Sequence, residues 1–217
     1  MKSPIRHLLI LIALFSAAAT ILACGSSEQQ VTGSDIVPEP SGTPVPVPIG
    51  GVYSVGEGSE ATFTVNEKLS RLPLPNDAVL RTEEISGEID LSSGTASLVI
   101  NLHALKSDQS RRDGYVRDRM FPRQPDATIS ITEFPEIPAS FTDGETLTSS
   151  VTATVNVNGT DAEIEFSIEA WLDPDRRLVL VKGDFVWADF GMTAPVSRLF
   201  VVTDDVHVEV LFSAVSD

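Results

Sequence analysis

Few side chains in this 217-residue chain could carry out chemistry at a defined site. Cys24 is the only cysteine, so the chain forms no internal disulfide and no thiolate zinc site, and a metal would need carboxylates and the three histidines. Nucleophilic catalysis needs a serine or cysteine beside a histidine that a carboxylate orients. His103 and His207 are predicted on the polar side of strands, and Asp204 and Asp205 precede His207 without a nucleophile. The sequence therefore predicts no enzyme, no cofactor and no metal site.

The position of Cys24 indicates covalent chemistry of another kind. Two basic residues precede an uncharged run over residues 8–23, which is shorter than the ~20 residues that a transmembrane helix needs. The stretch around the cysteine resembles the bacterial lipobox, in which the cysteine becomes the diacylglyceryl-modified first residue: Ile21-Leu22-Ala23-Cys24-Gly25. We expect residues 1–23 to be a signal peptide and Cys24 to anchor an extracytoplasmic bacterial lipoprotein. An ordinary secretory signal with a chance cysteine is the alternative.

The charge of the chain excludes one class of partner. The chain has 15 Lys and Arg against 31 Asp and Glu, which gives a formal charge of -16. A protein that binds nucleic acid through phosphate contacts needs a basic surface, and this chain has none on that scale. Anionic lipid headgroups would repel so acidic a body, so we expect membrane attachment to depend on acyl chains at Cys24.

Composition divides the rest of the chain into a tether and one folded domain. Residues 24–50 are rich in Ser, Gln, Gly and Pro, and five prolines alternate with other residues: Pro38, Pro40, Pro44, Pro46 and Pro48. Alternating prolines favour extended polyproline II, so we expect a semi-rigid tether, with a proline-rich ligand for a partner domain as the alternative. The chain is 42% hydrophobic, which is enough for a core, and we place one folded domain over residues 51–217.

Period-two alternation dominates residues 51–217 and predicts many strands with one apolar face each. Apolar faces of this kind include Ala61, Phe63 and Val65; Leu98, Ile100 and Leu102; Ile164, Phe166, Ile168 and Ala170; and Val206, Val208 and Val210. Asn158-Gly159 between two alternating runs is typical of a type I′ hairpin turn. Antiparallel strands with one apolar face must stack as a sandwich or close as a barrel.

The same alternation assigns the two tryptophans to opposite environments. In a strand predicted over residues 178–189, Trp187 shares the parity of Phe185 and should face the interior. Trp171 has the parity of the glutamates in the preceding strand and should face outward or lie at the rim. The pattern leaves open whether Trp187 lines a cavity or fills a core.

One segment interrupts the alternation and is locally basic. Val116 and Met120 lie four residues apart, and Asp113 precedes Arg117 by four residues, so we predict a short helix between residues 106 and 121. Extended to residue 123, the segment holds six basic residues: Lys106, Arg111, Arg112, Arg117, Arg119 and Arg123. This helix is either solvated, with arginines paired to the acidic body, or a cap over a barrel mouth that meets an anionic headgroup.

The order and spacing of several short motifs resemble a known family. Along the chain they are Tyr53, Phe63 to Val65, Gly87-Glu88-Ile89, Leu105, Arg112-Asp113, Met120-Phe121, Gly159-Thr160, Asp189-Phe190-Gly191-Met192, and Asp205-Val206 with Val208. Over roughly residues 51–215 this pattern is similar to that of the YceI-like family of polyisoprenoid-binding proteins. The resemblance implies an all-β fold, a lipocalin-like antiparallel β-barrel with a short helical segment near one end. It also implies that the lumen binds a long isoprenoid or related apolar lipid, for transport or sequestration.

The alternation and the resemblance together predict ten residues at the lumen or its mouth: Phe63, Val65, Ile100, Arg112, Met120, Phe121, Phe166, Phe185, Trp187 and Phe190. Trp187 stands where the family commonly has Arg, which favours a purely apolar ligand. Residues 71–75 replace family glycines. Alternation is the same in hollow and filled barrels, so the alternative is a filled barrel that serves as a structural or protein-interaction module of the cell envelope.

Overall fold

The structure is a computed structural model that describes residues 50–72, 74–173 and 176–216. The predicted signal peptide, Cys24 and all but the last residue of the predicted tether lie outside these ranges. Within the described ranges, no helix combines the length and the apolarity that a membrane crossing requires.

Ten strands form most of the described part of the chain: β1 (Val52–Val55), β2 (Glu60–Leu69), β3 (Asn76–Thr82), β4 (Ile85–Asp90), β5 (Thr95–Asn101), β6 (Asp126–Ile131), β7 (Leu147–Val157), β8 (Thr160–Leu172), β9 (Arg177–Val186) and β10 (Phe200–Ser216). The helical pieces are α1 (Ser110–Tyr115), a π-helical turn (Val116–Met120) and α2 (Ala139–Thr142). Two 3₁₀ turns cover Leu102–Ala104 and Trp187–Phe190.

The strands pair antiparallel, and the sheet closes on itself. From β4 to β10, each strand pairs with the next one in the sequence. β1 closes the ring, because Tyr53 lies opposite Ile89 of β4 and opposite Ser216 of β10. β1 and β2 pair with successive parts of the same edge of β10 and so share one position in the ring. β4 lies beside β1 and β3 lies beside β2, so these two strands share the next position. The ten described strands therefore occupy eight positions in the barrel. The predicted lipocalin-like antiparallel barrel is confirmed, and the sandwich is excluded.

The alternation decides which side chains face the interior. In β8, Phe166 is buried and the neighbouring Glu165 is exposed, as the pattern predicts. The hairpin between β7 and β8 turns at Asn158 and Gly159, whose φ angles of 53° and 79° are those that a type I′ turn requires. Because a slip of one residue would turn every apolar side chain outward, this hairpin and the buried face set the register together.

The two ends of the barrel are built differently. At one end, which we call the helical end, β5 leads into the Leu102–Ala104 turn and α1, and β9 leads into the Trp187–Phe190 turn. At the opposite end, which we call the terminal end, β1 begins, β10 ends and α2 connects β6 to β7. The described chain therefore enters and leaves the barrel at the terminal end, across the barrel from α1.

The prediction of a strand over residues 178–189 is wrong at its C-terminal end. β9 stops at Val186, where the Asp189 carboxylate accepts a hydrogen bond from the Val186 N–H at 2.9 Å. This bond caps the 3₁₀ turn that contains Trp187, and Gly191 ends the turn with a φ of 64°. The inward orientation predicted for Trp187 thus depends on a turn rather than on strand parity.

The predicted helix of the basic segment forms, but its predicted ion pair does not. Arg117 pairs with the adjacent Asp118 at 2.9 Å. The Asp113 carboxylate instead accepts hydrogen bonds from the Ser107 N–H at 2.9 Å and from its hydroxyl at 2.7 Å. The π-helical turn after α1 changes the side-chain spacing, and it buries Val116 in the barrel core.

Substitution of Gly87 should test the register of β4 and β5. Gly87 has a φ of 137°, and a Cβ there would lie 2.2 Å from the Ser97 carbonyl oxygen. We expect Gly87→Ala to lower the free energy of unfolding by about 2 kcal/mol or more, measured by urea denaturation. Gly114→Ala in α1 is the control, because its Cβ would meet atoms no nearer than 3.9 Å and alanine favours helix. Equal destabilisation by both changes would contradict this register.

Candidate functional site

An apolar cavity of about 500 Å³ occupies the barrel lumen. All ten strands contribute inward side chains to its wall, from Tyr53 in β1 to Phe212 in β10. The cavity extends from Phe141 at the terminal end to Tyr115 and Leu199 at the helical end. The lumen is therefore hollow, as in small barrels that hold one ligand, and is not filled by its own side chains.

All ten residues predicted at the lumen or its mouth lie on the cavity wall. The strands position five of them: Phe63, Val65, Ile100, Phe166 and Phe185. The helical end positions the other five: Arg112, Met120, Phe121, Trp187 and Phe190. Their place on the wall is a property of the fold, whereas their contact with a ligand stays a prediction.

Close contacts between rings and backbone hold the aromatic part of the wall in place. A Cβ at Gly183 in β9 would lie 2.5 Å from the ring of Phe166, so only glycine lets that ring lie against the strand. The rings of Phe185 and Phe190 meet edge to face, with their centroids 5.2 Å apart. These contacts keep the phenylalanines against the wall and leave the centre of the lumen open.

Part of the wall lies outside the ten residues predicted for the site. Val151, Ile168 and Val210 line the cavity from the same strand faces that the alternation identifies, so the pattern was sufficient to find them. Phe134 and Phe141 come from the connection between β6 and β7, which has no regular alternation. Only the folded chain brings these two rings to the terminal end of the lumen.

A buried ion pair contributes to the polar part of the wall at the helical end, where Gln109 and Arg111 also line the cavity. Arg112 of α1 donates to the Glu67 carboxylate of β2 at 2.5 Å, and it also pairs with Asp108. Glu67 is 6% exposed, and Asn76 donates a second hydrogen bond to its carboxylate at 3.3 Å. The single positive charge of Arg112 thus faces two carboxylates. α1 lies at the mouth and its Arg112 pairs with the body, whereas the contact with an anionic headgroup that one interpretation of the basic helix included stays a prediction.

The two histidines of the described residues make contacts outside the cavity. His103 lies in the Leu102–Ala104 turn rather than on a strand, and its Nε2 is 2.6 Å from the carbonyl oxygen of Phe121. His207 lies on the outer face of β10 and bonds to Asp184 at 2.8 Å instead of lying against Asp204 or Asp205. The hydrogen bond to Asp184 raises the pKa of His207 above its usual range. In the part of the chain that the structure describes, no metal-ligating cluster of three or more side chains occurs.

Comparison with protein families places residues 54–214 on the model of the YceI-like domain. The chain belongs to the YceI-like family. The matched residues run from β1 to β10 and so include the complete ring of strands around the cavity. A comparison with curated proteins gives no significant match.

Two solved structures share the fold of this YceI-like chain. One is a polyisoprenoid-binding domain from Saccharophagus degradans implicated in plant cell wall breakdown, with a TM-score of 0.63 and 20% sequence identity over 77% of this chain and 99% of that one. The other is BcnA from Burkholderia cenocepacia, with a TM-score of 0.52 and 11% identity over 71% of this chain and 95% of that one. At these identities the similarity shows a common fold.

Trp187 contributes an aromatic side chain to the helical end of the cavity. It is half-buried on the cavity wall and donates its indole N–H to the Thr203 carbonyl oxygen at 3.0 Å. Its ring packs against a small apolar cluster that includes Val65 and Val202. Trp171 lies on the outward phase of β8, as predicted. The indole ring of Trp187 therefore gives this part of the wall an aromatic surface.

Removal of the Glu67 charge should destabilise the helical end. Glu67→Gln leaves the buried Arg112 paired only with Asp108, so we expect the free energy of unfolding to fall by about 3 kcal/mol. Asp108→Asn is the matched control, because the Asp108 side chain is 74% exposed and its pair should contribute less than about 1 kcal/mol. Chemical denaturation measures both values, and similar losses for the two variants would count against a buried Glu67–Arg112 pair.

Proposed function

We propose that this YceI-like chain binds a long apolar lipid of the isoprenoid class in the barrel lumen, as a carrier or a sequestering protein. The observation that carries the proposal is the hollow lumen of about 500 Å³, which lies within the ~300–1,000 Å³ typical of small-molecule sites. Its wall is almost wholly apolar along its length, so a hydrocarbon chain leaves water without losing hydrogen bonds. The solved Saccharophagus degradans structure of the same fold is described as a polyisoprenoid-binding domain, which supports this ligand class.

The charges at the helical end favour a lipid with an uncharged headgroup. A phosphate bound to Arg112 would have to displace Glu67, and that displacement would leave a buried carboxylate without its partner. A quinone or an alcohol can lie beside the intact pair and against the Trp187 ring at no such cost. We therefore favour an isoprenoid quinone or alcohol over a prenyl phosphate.

We further propose that the protein acts outside the cytoplasm as a lipoprotein anchored through Cys24. Support comes from the lipobox-like sequence, from the proline-rich stretch up to residue 50 and from the position of β1, which starts directly after that stretch. Anchoring through a tether would keep the lumen close to a membrane that supplies its lipid.

Fluorescence quenching should test lipid binding. An isoprenoid quinone quenches indole emission, and Trp187 lies on the cavity wall whereas Trp171 does not face it. Titration of the delipidated protein should give saturable quenching at low-micromolar quinone in Trp171→Phe, and this quenching should largely vanish in Trp187→Phe.

Native mass spectrometry after mild extraction is the independent measurement, because it detects co-purified lipid without using either tryptophan. Absence of both quenching and co-purified lipid would instead support a module of the cell envelope that has no lipid ligand.

Replacement of Cys24 should test the anchor. The acyl chains of a lipoprotein cysteine contribute ~0.8 kcal/mol per buried CH₂, so Cys24→Ala should release the protein from the membrane. The circular dichroism of the barrel should not change, because the strands of the described residues lie between Val52 and Ser216. Membrane fractionation after a salt wash gives the result, and a variant that stays in the pellet would show that Cys24 is not the anchor.

A further inference from the structure

The exposed apolar side chains of the molecule are concentrated at one place. Among the described residues, the five most exposed large aliphatic side chains are 47–72% exposed and all lie at the helical end, four of them in two loops and Val201 at the start of β10. We call this set the apolar rim: Leu72, Leu74, Val196, Leu199 and Val201. Single exposed aliphatics are ordinary, but a group of this kind marks a surface that meets another apolar phase.

The two loops of the apolar rim are joined and continue into the lumen. The Ser70 N–H donates to the Leu199 carbonyl oxygen at 2.9 Å, and the Ser70 hydroxyl donates to the Arg198 carbonyl oxygen at 2.7 Å. Phe200, directly after Leu199, meets the ring of Tyr115 edge to face at 5.9 Å, and all three side chains line the cavity. Leu199 thus connects the rim to the cavity wall, and the rim lies at the outer edge of the cavity mouth.

The charge of these loops is opposite to the net charge of the chain. Neither residues 68–75 nor residues 192–202 contain Asp or Glu, although the whole chain has 31 acidic residues. Arg71 and Arg198 are exposed in these loops, beside the aliphatic side chains. Exposed aliphatics with flanking cations are the combination that binds the interface of an anionic bilayer. The acidic outer faces, such as Glu163 and Glu165 of β8, favour an end-on orientation because anionic headgroups repel them.

We propose that the apolar rim docks end-on onto an anionic lipid bilayer and opens the helical end of the lumen toward the lipid phase. The docking itself is independent of the proposed lipid ligand, and only the passage of cargo through the mouth rests on that function. Docking of the rim also revises the expectation that acyl chains at Cys24 are the sole contact with the membrane.

The length of the tether allows this orientation, although β1 begins at the opposite end of the barrel. From Cys24 to Gly50 the chain has 26 residue steps, which at ~3.1 Å per residue in polyproline II reach roughly 80 Å. β9 has 10 residues and spans roughly 33 Å at ~3.3 Å per residue. The reach exceeds the strand length about twofold, so a barrel anchored at Cys24 can turn its helical end to the same membrane.

Vesicle co-sedimentation tests the proposal directly. We would use residues 24–217 with Cys24→Ala, because this chain lacks the proposed anchor and keeps all ten described strands, together with vesicles of phosphatidylcholine with phosphatidylglycerol. Leu74→Glu and Leu199→Glu should each lower the partition coefficient by about tenfold, since a leucine that enters the interface is worth about that factor. Leu211→Glu on the outer wall of β10 is the matched control and should bind as the parent chain does. Arg71→Gln with Arg198→Gln should reduce the preference for phosphatidylglycerol over pure phosphatidylcholine.

The outcomes separate docking from ligand binding. Vesicle binding that the rim substitutions abolish supports docking, even if quinone quenching fails and the proposed function with it. No vesicle binding by the parent chain, or equal binding by the rim variants and Leu211→Glu, overturns docking, even if quinone quenching succeeds. A rim that instead joins two copies of the chain would appear in analytical ultracentrifugation as a dimer lost in Leu199→Glu, and without vesicle binding this result also overturns the proposal.

Discussion

β1 hydrogen-bonds to β4 along one edge and to β10 along the other, and the hollow interior exists because of this closure. Closure pairs both edges of β1, whereas β3, among the described strands, forms a ladder with β2 alone and meets the segment after the Leu102–Ala104 turn at a bridge between Arg81 and Lys106. Closure also forces every second side chain into one enclosed space, whose width depends on the eight strand positions. Small inward residues such as Ala96, Ala127 and Ala153 leave volume there that larger side chains would fill.

The helical end depends on a second interaction, the Glu67–Arg112 pair. α1 has six residues, too few for a helix that is stable by itself in water. Arg112 ties it to β2, and the buried side chains of Val116 and Phe121 attach the following turn to the core. The shape and charge of the mouth thus come from tertiary contacts. The pair that holds α1 in place also neutralises the charge of Arg112 on the cavity wall.

Polar and apolar surfaces are separated along the barrel. The outer strand faces carry carboxylates, the inner faces are apolar, and the apolar surface reaches the outside mainly at the rim of the helical end. The protein can therefore remain hydrated along its walls while it presents an apolar opening at one end. Under the proposed function, the outer faces of the strands carry the acidic charge and the inner faces of the same strands bind the apolar lipid.

The amino-acid pattern determined the strands, the phase of Phe166 and Glu165, the hairpin at Asn158 and the apolar character of the interior, because period-two alternation and turn chemistry are local properties. The same pattern identified the ten wall residues, although the order of motifs was needed for those outside strands. Alternation does not distinguish a sandwich from a barrel, since that choice depends on which strands meet around the ring. It does not distinguish a filled barrel from a hollow one either, since that choice depends on how far the inward side chains fill the enclosed space. β3 follows a proline-rich stretch and was not predicted, and Trp187 lies in a turn that a hydrogen bond to Asp189 creates. The partner of Arg112 lies 45 residues away in the chain, and the two loops of the rim are separated by more than 100 residues. Only the tertiary structure decides such contacts, because they depend on the closure of the whole sheet rather than on local sequence.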